Sequence, residues 1–321
     1  MSDLCKYYGI NAFSTVYIGG GTPSLLGENI IFLLDYIKDN FKISKGAEIT
    51  AEVNPESAGE FLPFAAAAGV NRISFGIQSS SDEMLKKLGR LHTAEDVKQA
   101  VKLAKNLGFS NISGDIMIGL PDEDITALNK DVDFLLSLDI EHISSYILKK
   151  EEGTPLYIKN TPLPDDDTVA DLYLHMSKRL TLAGYSHYEI SNFARAGFEG
   201  RHNLSYWQDK EYLGVGPAAH SFINGKRFYF ERDLSSFLQN PVTVFEDIGG
   251  TKTEKFMLSL RLSEGVRIKD FPFLQNDKAK EKIARFKAAS CLETNNGKIH
   301  LTDKGFLISN YIISELIDEN L

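Results

Sequence analysis

Thr15-Val16-Tyr17-Ile18-Gly19-Gly20-Gly21-Thr22-Pro23-Ser24 decides how the rest of the chain is read. Residues 15–18 are β-branched and aromatic, the composition of a short strand, and the run stops at three successive glycines. Downstream, residues 48–53, 71–77, 112–118 and 141–147 are four more runs of that kind, each ended by polar or turn residues. Apolar stripes at helical spacing lie between them: Ile30, Ile31, Leu33, Leu34 and Ile37, then Val97, Val101, Leu103, Ala104 and Leu107 closed by Gly108, then Leu128, Val132, Leu135 and Leu136. Strand and helix alternating every ~25–35 residues predict βα units and a parallel sheet, an α/β fold. Five such strands are too few for a closed eight-stranded barrel.

The pattern changes after residue 150. Residues 151–167 carry Gly153, Pro155, Pro162, Pro164 and three successive aspartates, which reads as a connection. A helix follows at about 166–183. Residues 185–232 are rich in aromatics and glycine and show no clear period. Beyond 250 the expectation is helix (252–260), helix (277–289), a hairpin from Glu293 to Thr302 around Asn296-Gly297, then helix (303–318). Helices followed by a hairpin suggest a small winged-helix-like module, read here as a packing unit.

Composition narrows the function. Of the 321 residues, 43% are apolar and 25% charged, the balance of a soluble globular protein. The net charge of −9 argues against a general nucleic-acid binder, which needs a basic surface. Two distant cysteines, Cys5 and Cys291, exclude a disulfide framework or a thiolate cluster built from this chain. With no signal-peptide core and no apolar run of about 20 residues, the expected location is the cytoplasm.

In a parallel sheet, ligands sit at the carboxyl ends of the strands. Gly19-Gly20-Gly21 lets backbone approach a ligand closely, or is simply a tight strand-to-helix turn. Glu52 and Gln78 close the second and third runs, and Asp115 interrupts the apolar fourth. A carboxylate inside an apolar strand is costly without a partner, so Asp115 marks a structural ion pair or a polar ligand. Arg90, in Leu88-Gly89-Arg90-Leu91-His92, adds a cationic fork suited to a carboxylate, or is a surface residue at a helix end. An amino acid suits the glycine turn and the arginine; a nucleoside suits Glu52, Gln78 and Asp115.

Read in order, Tyr17-Ile18-Gly19-Gly20-Gly21-Thr22-Pro23-Ser24-Leu25-Leu26, Glu52-Val53-Asn54-Pro55-Glu56, Gly76-Ile77-Gln78-Ser79, Leu88-Gly89-Arg90-Leu91-His92 and Asp115-Ile116-Met117-Ile118-Gly119-Leu120-Pro121 resemble the S-adenosylmethionine (SAM) segments of one radical SAM family, the oxygen-independent coproporphyrinogen dehydrogenases and related heme chaperones. Tyr188-Glu189-Ile190-Ser191-Asn192-Phe193-Ala194, His202-Asn203-Leu204-Ser205-Tyr206-Trp207 and Tyr212-Leu213-Gly214-Val215-Gly216-Pro217-Ala218-Ala219-His220-Ser221 extend the resemblance over nearly the whole chain. The resemblance implies a partial (β/α)6 barrel whose first strand is missing, followed by a small helical, winged-helix-like C-terminal domain. Its implied division is residues 1–165 for the partial barrel, 166–240 for a barrel-completing and connecting region, and 241–321 for the C-terminal domain. Gly20, Gly21, Thr22, Glu52, Gln78, Arg90 and Asp115 then correspond to SAM contacts.

The family holds a 4Fe-4S cluster on three closely spaced cysteines that precede this glycine turn. Residues 1–18 contain one cysteine, Cys5, so the cluster belongs to an intact protein and SAM cleavage is not expected of this chain as it stands. No catalytic residue or metal ligand is assigned. Within the family, the chaperone branch is the first expectation: heme held by His202, with Tyr206 and Trp207 beside the ring, and passed to a recipient hemoprotein. His220 is the other histidine considered as ligand. Oxidative decarboxylation of coproporphyrinogen III is the alternative, and an unrelated nucleotide-binding α/β protein is a third. Nucleic acid is not an expected partner, and any membrane contact would come through a partner.

Overall fold

The computed structural model describes residues 1–317. It forms two compact units, one of Ala12–Gly200 and one of Met1–Asn11 together with the residues from Arg201 on.

The first unit is an open sheet of seven strands. β1 (Ala12–Ile18), β2 (Lys42–Val53), β3 (Arg72–Gln78), β4 (Ile112–Ile118) and β5 (His142–Ile147) lie side by side in chain order and are parallel. The five expected runs are therefore all strands of one sheet. β2 begins earlier than expected, and its register against β1 shifts between Phe13 and Thr15. Beyond β5 the sheet continues with an antiparallel pair, β6 (Ser186–Glu189) and β7 (Asn192–Ala194), in the order β5-β7-β6. These strands are short and were hidden in the stretch without a period.

Parallel neighbours need crossovers, supplied here by the helices Asn29–Asn40, Ala58–Ala68, Ala94–Asn106 and Ile125–Ser137. Their ends are set locally: Thr93 and Asp96 form a capping box, and Asp124 accepts the N–H groups of Thr126 and Ala127. Right-handed crossovers put all the helices on one side of the sheet. Strand alternation supplies that side with Ile49, Ile73, Phe75, Ile112, Ile116 and Ile143, each nearly or fully buried. Each such side chain contributes about 1.5–3 kcal/mol relative to exposure.

The second unit opens with the helix Ser2–Tyr8, whose Tyr8 ring stacks on Phe228 at 5.3 Å. It contains a three-stranded sheet of β8 (His220–Ile223), β9 (Lys226–Phe230) and β10 (Thr243–Ile248), antiparallel, with β9 central. Asn224 and Gly225 form a two-residue hairpin with φ of +52° and +72°, the geometry of a type I′ turn. A second small sheet, β11 (Val266–Arg267), β12 (Leu292–Asn295) and β13 (Lys298–Leu301), is packed with the helices Lys252–Ser259, Asp277–Ala288, Asp303–Leu307 and Ser309–Ile317. This is the expected helical, winged-helix-like module; position 318 of its last expected helix lies outside the described residues. Among the described residues no helix is long and apolar enough to cross a membrane.

Candidate functional site

Alternation gives the sheet a polar side opposite the helices. Tyr17 pairs with Thr50, Thr50 with Arg72, Ser74 with Ser113, and Ser113 with His142, so alternate residues of five strands share that side. Buried polar groups are costly unless paired, and at the amino end of the strands they pair closely. His142 Nδ1 lies 2.7 Å from Ser113 Oγ and its Nε2 lies 2.8 Å from the Tyr188 hydroxyl, which accepts the Gly200 N–H at 3.1 Å. Burial, helped by the Arg72 charge, holds His142 well below the usual imidazole range, so it is neutral.

The carboxyl ends are built differently. Gly20 and Gly21 hold φ of +86° and +61°, a region unfavourable to residues with a Cβ. Glu52 holds this turn: Gly20 N–H donates to Oε2 at 3.0 Å, while the Tyr17 hydroxyl donates to Oε1 at 2.7 Å. Thr22 opens the short 3-10 turn Pro23–Leu26 and its side chain makes no cap bond. Ser24 Oγ lies 2.6 Å from Ser57 Oγ, and Ser57 donates to the Asn54 carbonyl, which ties the glycine turn to the loop after β2.

Gln78 ends β3 with φ +69°, next to a bulge between Gly76 and Gln78. The bulge breaks alternation and re-aims the side chain. A Cβ placed on Gly76 would meet Gln78 Nε2 at 3.0 Å, Asn54 Oδ1 at 3.7 Å and Arg90 Nη1 at 3.9 Å, so these three side chains converge over the bare Gly76 backbone. Gln78 is buried, and its Oε1 has no hydrogen-bond partner among the described residues. Asp115 is the strand neighbour of Gly76 and accepts from Ser74 Oγ at 3.2 Å. Burial pushes its carboxyl up to about 6 against the hydrogen bonds of Ser144 and Ser74 and the charge of Arg72. Burial and the Asp115 charge push Tyr146 up to about 12.

The structure thus brings Gly20, Glu52, Gln78, Arg90 and Asp115 to the polar side and carboxyl ends of β1–β4. Four residues that support them received no role from sequence. Tyr17 and Asn54 stand next to candidate positions, and only the fold gives them contacts. His92 is buried with Nε2 3.1 Å from the Ile77 carbonyl and Nδ1 3.4 Å from Glu56, which fixes the loop carrying Arg90. Asp131 accepts from Ser80 N at 2.6 Å and from Ser79 Oγ at 3.2 Å, fixing the loop after Gln78. Asp131 was legible: it is a carboxylate within the apolar stripe of Leu128, Val132 and Leu135.

His202 lies in the other unit, on the helix Arg201–Trp207. Its Nε2 is 2.7 Å from the Tyr206 hydroxyl, and the Tyr206 ring meets the Tyr212 ring edge-on at 4.6 Å. Trp207 is turned elsewhere, under the Arg261 guanidinium at 5.7 Å. Tyr206, and not Trp207, is therefore the aromatic neighbour of His202.

The Radical SAM superfamily model matches residues 3–135, and the HemN C-terminal domain model matches residues 253–308. Over 317 residues the chain is 34% identical to the heme chaperone HemW of Mycobacterium tuberculosis, covering 94% of this chain and 80% of that one. The chain belongs to the HemW family. The HemW of Bacillus subtilis is 33% identical over 336 residues, covering 95% of this chain and 86% of the relative. In fold, this HemW-family chain is similar to the coproporphyrinogen III oxidase HemN of Escherichia coli, a radical SAM enzyme, with a TM-score of 0.82 over 98% of this chain and 81% of that one. At 20% identity that likeness concerns the fold alone.

Radical SAM membership implies SAM and a 4Fe-4S cluster. The polar groups at the strand ends fit SAM: a glycine turn, an unpartnered amide oxygen and a guanidinium around one glycine. The thiols do not fit the cluster. Cys5 and Cys291 are both buried and free, and among the described residues no group of three or more His, Cys, Asp or Glu side chains could hold a metal ion.

Proposed function

We propose that this chain is a heme chaperone that binds heme, carries a SAM site, and delivers heme to a recipient hemoprotein. The observation that carries this reading is the similarity to curated heme chaperones along nearly the full chain. The SAM site on this reading comprises Gly20, Gly21, Thr22, Glu52, Gln78, Arg90 and Asp115. Arg90 suits the methionyl carboxylate through its planar fork. Gln78 Oε1 and the Asp115 carboxylate are acceptors suited to hydroxyl or amine donors. Glu52 keeps the Gly20–Gly21 backbone in position, which exposes peptide groups for the ligand. SAM itself contributes an amine, a carboxylate and ribose hydroxyls to that polar set.

His202 is the proposed heme ligand, and Tyr206 is the ring beside it. The nitrogen that would bind iron is the one the Tyr206 hydroxyl now engages, so that hydroxyl must turn away on binding. Delivery is tested by loading the purified chain with hemin and mixing it with an apo-hemoprotein such as apomyoglobin. The expected result is transfer of the Soret band to the acceptor at a rate set by the loaded chain. A parent chain whose hemin spectrum equals that of hemin in buffer would sink the reading.

A further inference from the structure

We infer that His220 is an axial ligand for heme iron, oriented by Glu246; this rests on the heme-chaperone reading and adds a site to it. His220 opens β8, and its strand partner is Tyr229 of β9. The imidazole stacks on the Tyr229 ring, with centroids 5.2 Å apart and planes inclined by 28°. Nδ1 lies 3.1 Å from Glu246 Oε2. Two contacts therefore fix both the plane of the ring and its rotation.

The position of Glu246 depends on a defect in the sheet. Phe245 pairs with Phe228 and Asp247 with Arg227, so Glu246 is the extra residue of a β-bulge in β10. The bulge lets two consecutive carboxylates serve one face: Asp247 takes the Arg227 guanidinium, with Nε donating at 2.7 Å, and Glu246 reaches His220. An exposed pair of this kind adds little to stability, because water screens it and two side chains are immobilised. Its effect on chemistry is larger. A carboxylate at Nδ1 keeps that nitrogen protonated as the donor and leaves the Nε2 lone pair free, the arrangement that orients metal-binding imidazoles.

Half of the His220 side chain is exposed, at 51%, and no described residue hydrogen-bonds Nε2. The contrast with His202, whose Nε2 is already engaged, is direct. Phe222, two residues along β8 and on the same face, forms a backbone bridge with Tyr212, which leads to Tyr206 and His202 through successive ring contacts. An exposed ligand also suits a cargo that has to leave. Coordination forms one bond, from the Nε2 lone pair to iron, and displaces at most a water; no electron or proton changes hands.

The test is a hemin titration of the full chain and of His220→Ala, Glu246→Gln and His202→Ala, read by absorption and resonance Raman spectroscopy. His220→Ala should shift the Soret band away from the parent position, His202 being still present, and bind hemin at least tenfold more weakly, while circular dichroism shows the fold unchanged. Added imidazole should restore the parent spectrum in His220→Ala, a rescue that a packing defect would not allow. Glu246→Gln should still bind but, after reduction of the bound hemin with dithionite, show a lower Fe(II)–His stretching frequency, since the imidazole loses its anionic partner. If His220→Ala keeps the parent spectrum and affinity, the inference is overturned while the chaperone reading stands. A parent chain that binds no hemin overturns both.

Discussion

Tyr17 and Glu52, the one on β1 and the other on β2, are joined by a 2.7 Å hydrogen bond, and the second oxygen of the same carboxylate carries the Gly20 N–H at 3.0 Å. One side chain thereby connects the sheet to the turn proposed to meet SAM. Removing the Tyr17 hydroxyl should free Glu52 to rotate without opening the core. A hydrogen bond to a charged group is worth ~1.5–3 kcal/mol, so Tyr17→Phe should weaken SAM binding about tenfold in calorimetry. An unchanged affinity would mean that the turn is held without Glu52.

Gly76 and Gly114 separate site from core. A methyl on Gly76 would press on Gln78 and approach Asn54 and Arg90, all polar groups at the strand ends. One on Gly114 would strike Ile77 Cδ1 at 2.6 Å and Ile140 Cδ1 at 2.8 Å, deep in the apolar side. Gly114→Ala should therefore cost ~1–3 kcal/mol of stability through overpacking, seen as a lower urea midpoint. Gly76→Ala should leave that midpoint nearly in place and reduce SAM affinity. The reverse pattern would remove Gly76 from the site.

Asp115 makes stability depend on pH in a stated direction. Its folded carboxyl titrates at about 6, above the ordinary 3.8, so the folded state holds the proton more tightly. That contribution is fully present below pH 3.8 and is lost as pH rises through about 6. Glu123, pushed up to about 7 by burial, adds a slope of the same sign up to that pH. Asp115→Asn should flatten the fall in urea midpoint between pH 4 and 6 and leave the Glu123 part. An identical pH profile would show that Asp115 ionises normally in the folded chain.

Tyr206 and His202 offer a gain-of-affinity test. The Tyr206 hydroxyl occupies the nitrogen proposed for iron, so Tyr206→Phe removes a competitor worth ~1 kcal/mol. Hemin should bind about fivefold more tightly to Tyr206→Phe. His175→Ala, in the other unit, should match the parent. His142 does not serve as such a control, since its buried bonds to Ser113 and Tyr188 make its removal a stability change. Weaker hemin binding by Tyr206→Phe would make the tyrosine, and not the histidine, the group that matters.

Strand runs, helix stripes and the glycine turn were legible because each is a local signal: a period of two, a period near 3.6, a backbone that tolerates positive φ. Those signals carried the five parallel strands, the terminal hairpin at Asn296-Gly297, and the placement of Glu52, Gln78 and Asp115 near strand ends. The hairpin at Asn224-Gly225 had the same signal but lay in an aromatic, glycine-rich stretch with no clear period to mark its strands. β6 and β7 went unseen for that reason too.

Contacts between residues far apart in sequence were decided by tertiary structure alone. Glu52 meets Gly20 only because β1 and β2 pair in one register, and Gln78 turns over Gly76 only because β3 carries a bulge. Glu246 reaches His220 across the intervening strand β9 through a second bulge. A bulge adds one residue to one strand, and its position depends on the partner strand, which no local pattern contains. By itself the sequence determined which residue types stand at the ends of the strands. Register and bulges decided which of them touch, since a shift of one residue turns every side chain to the other face.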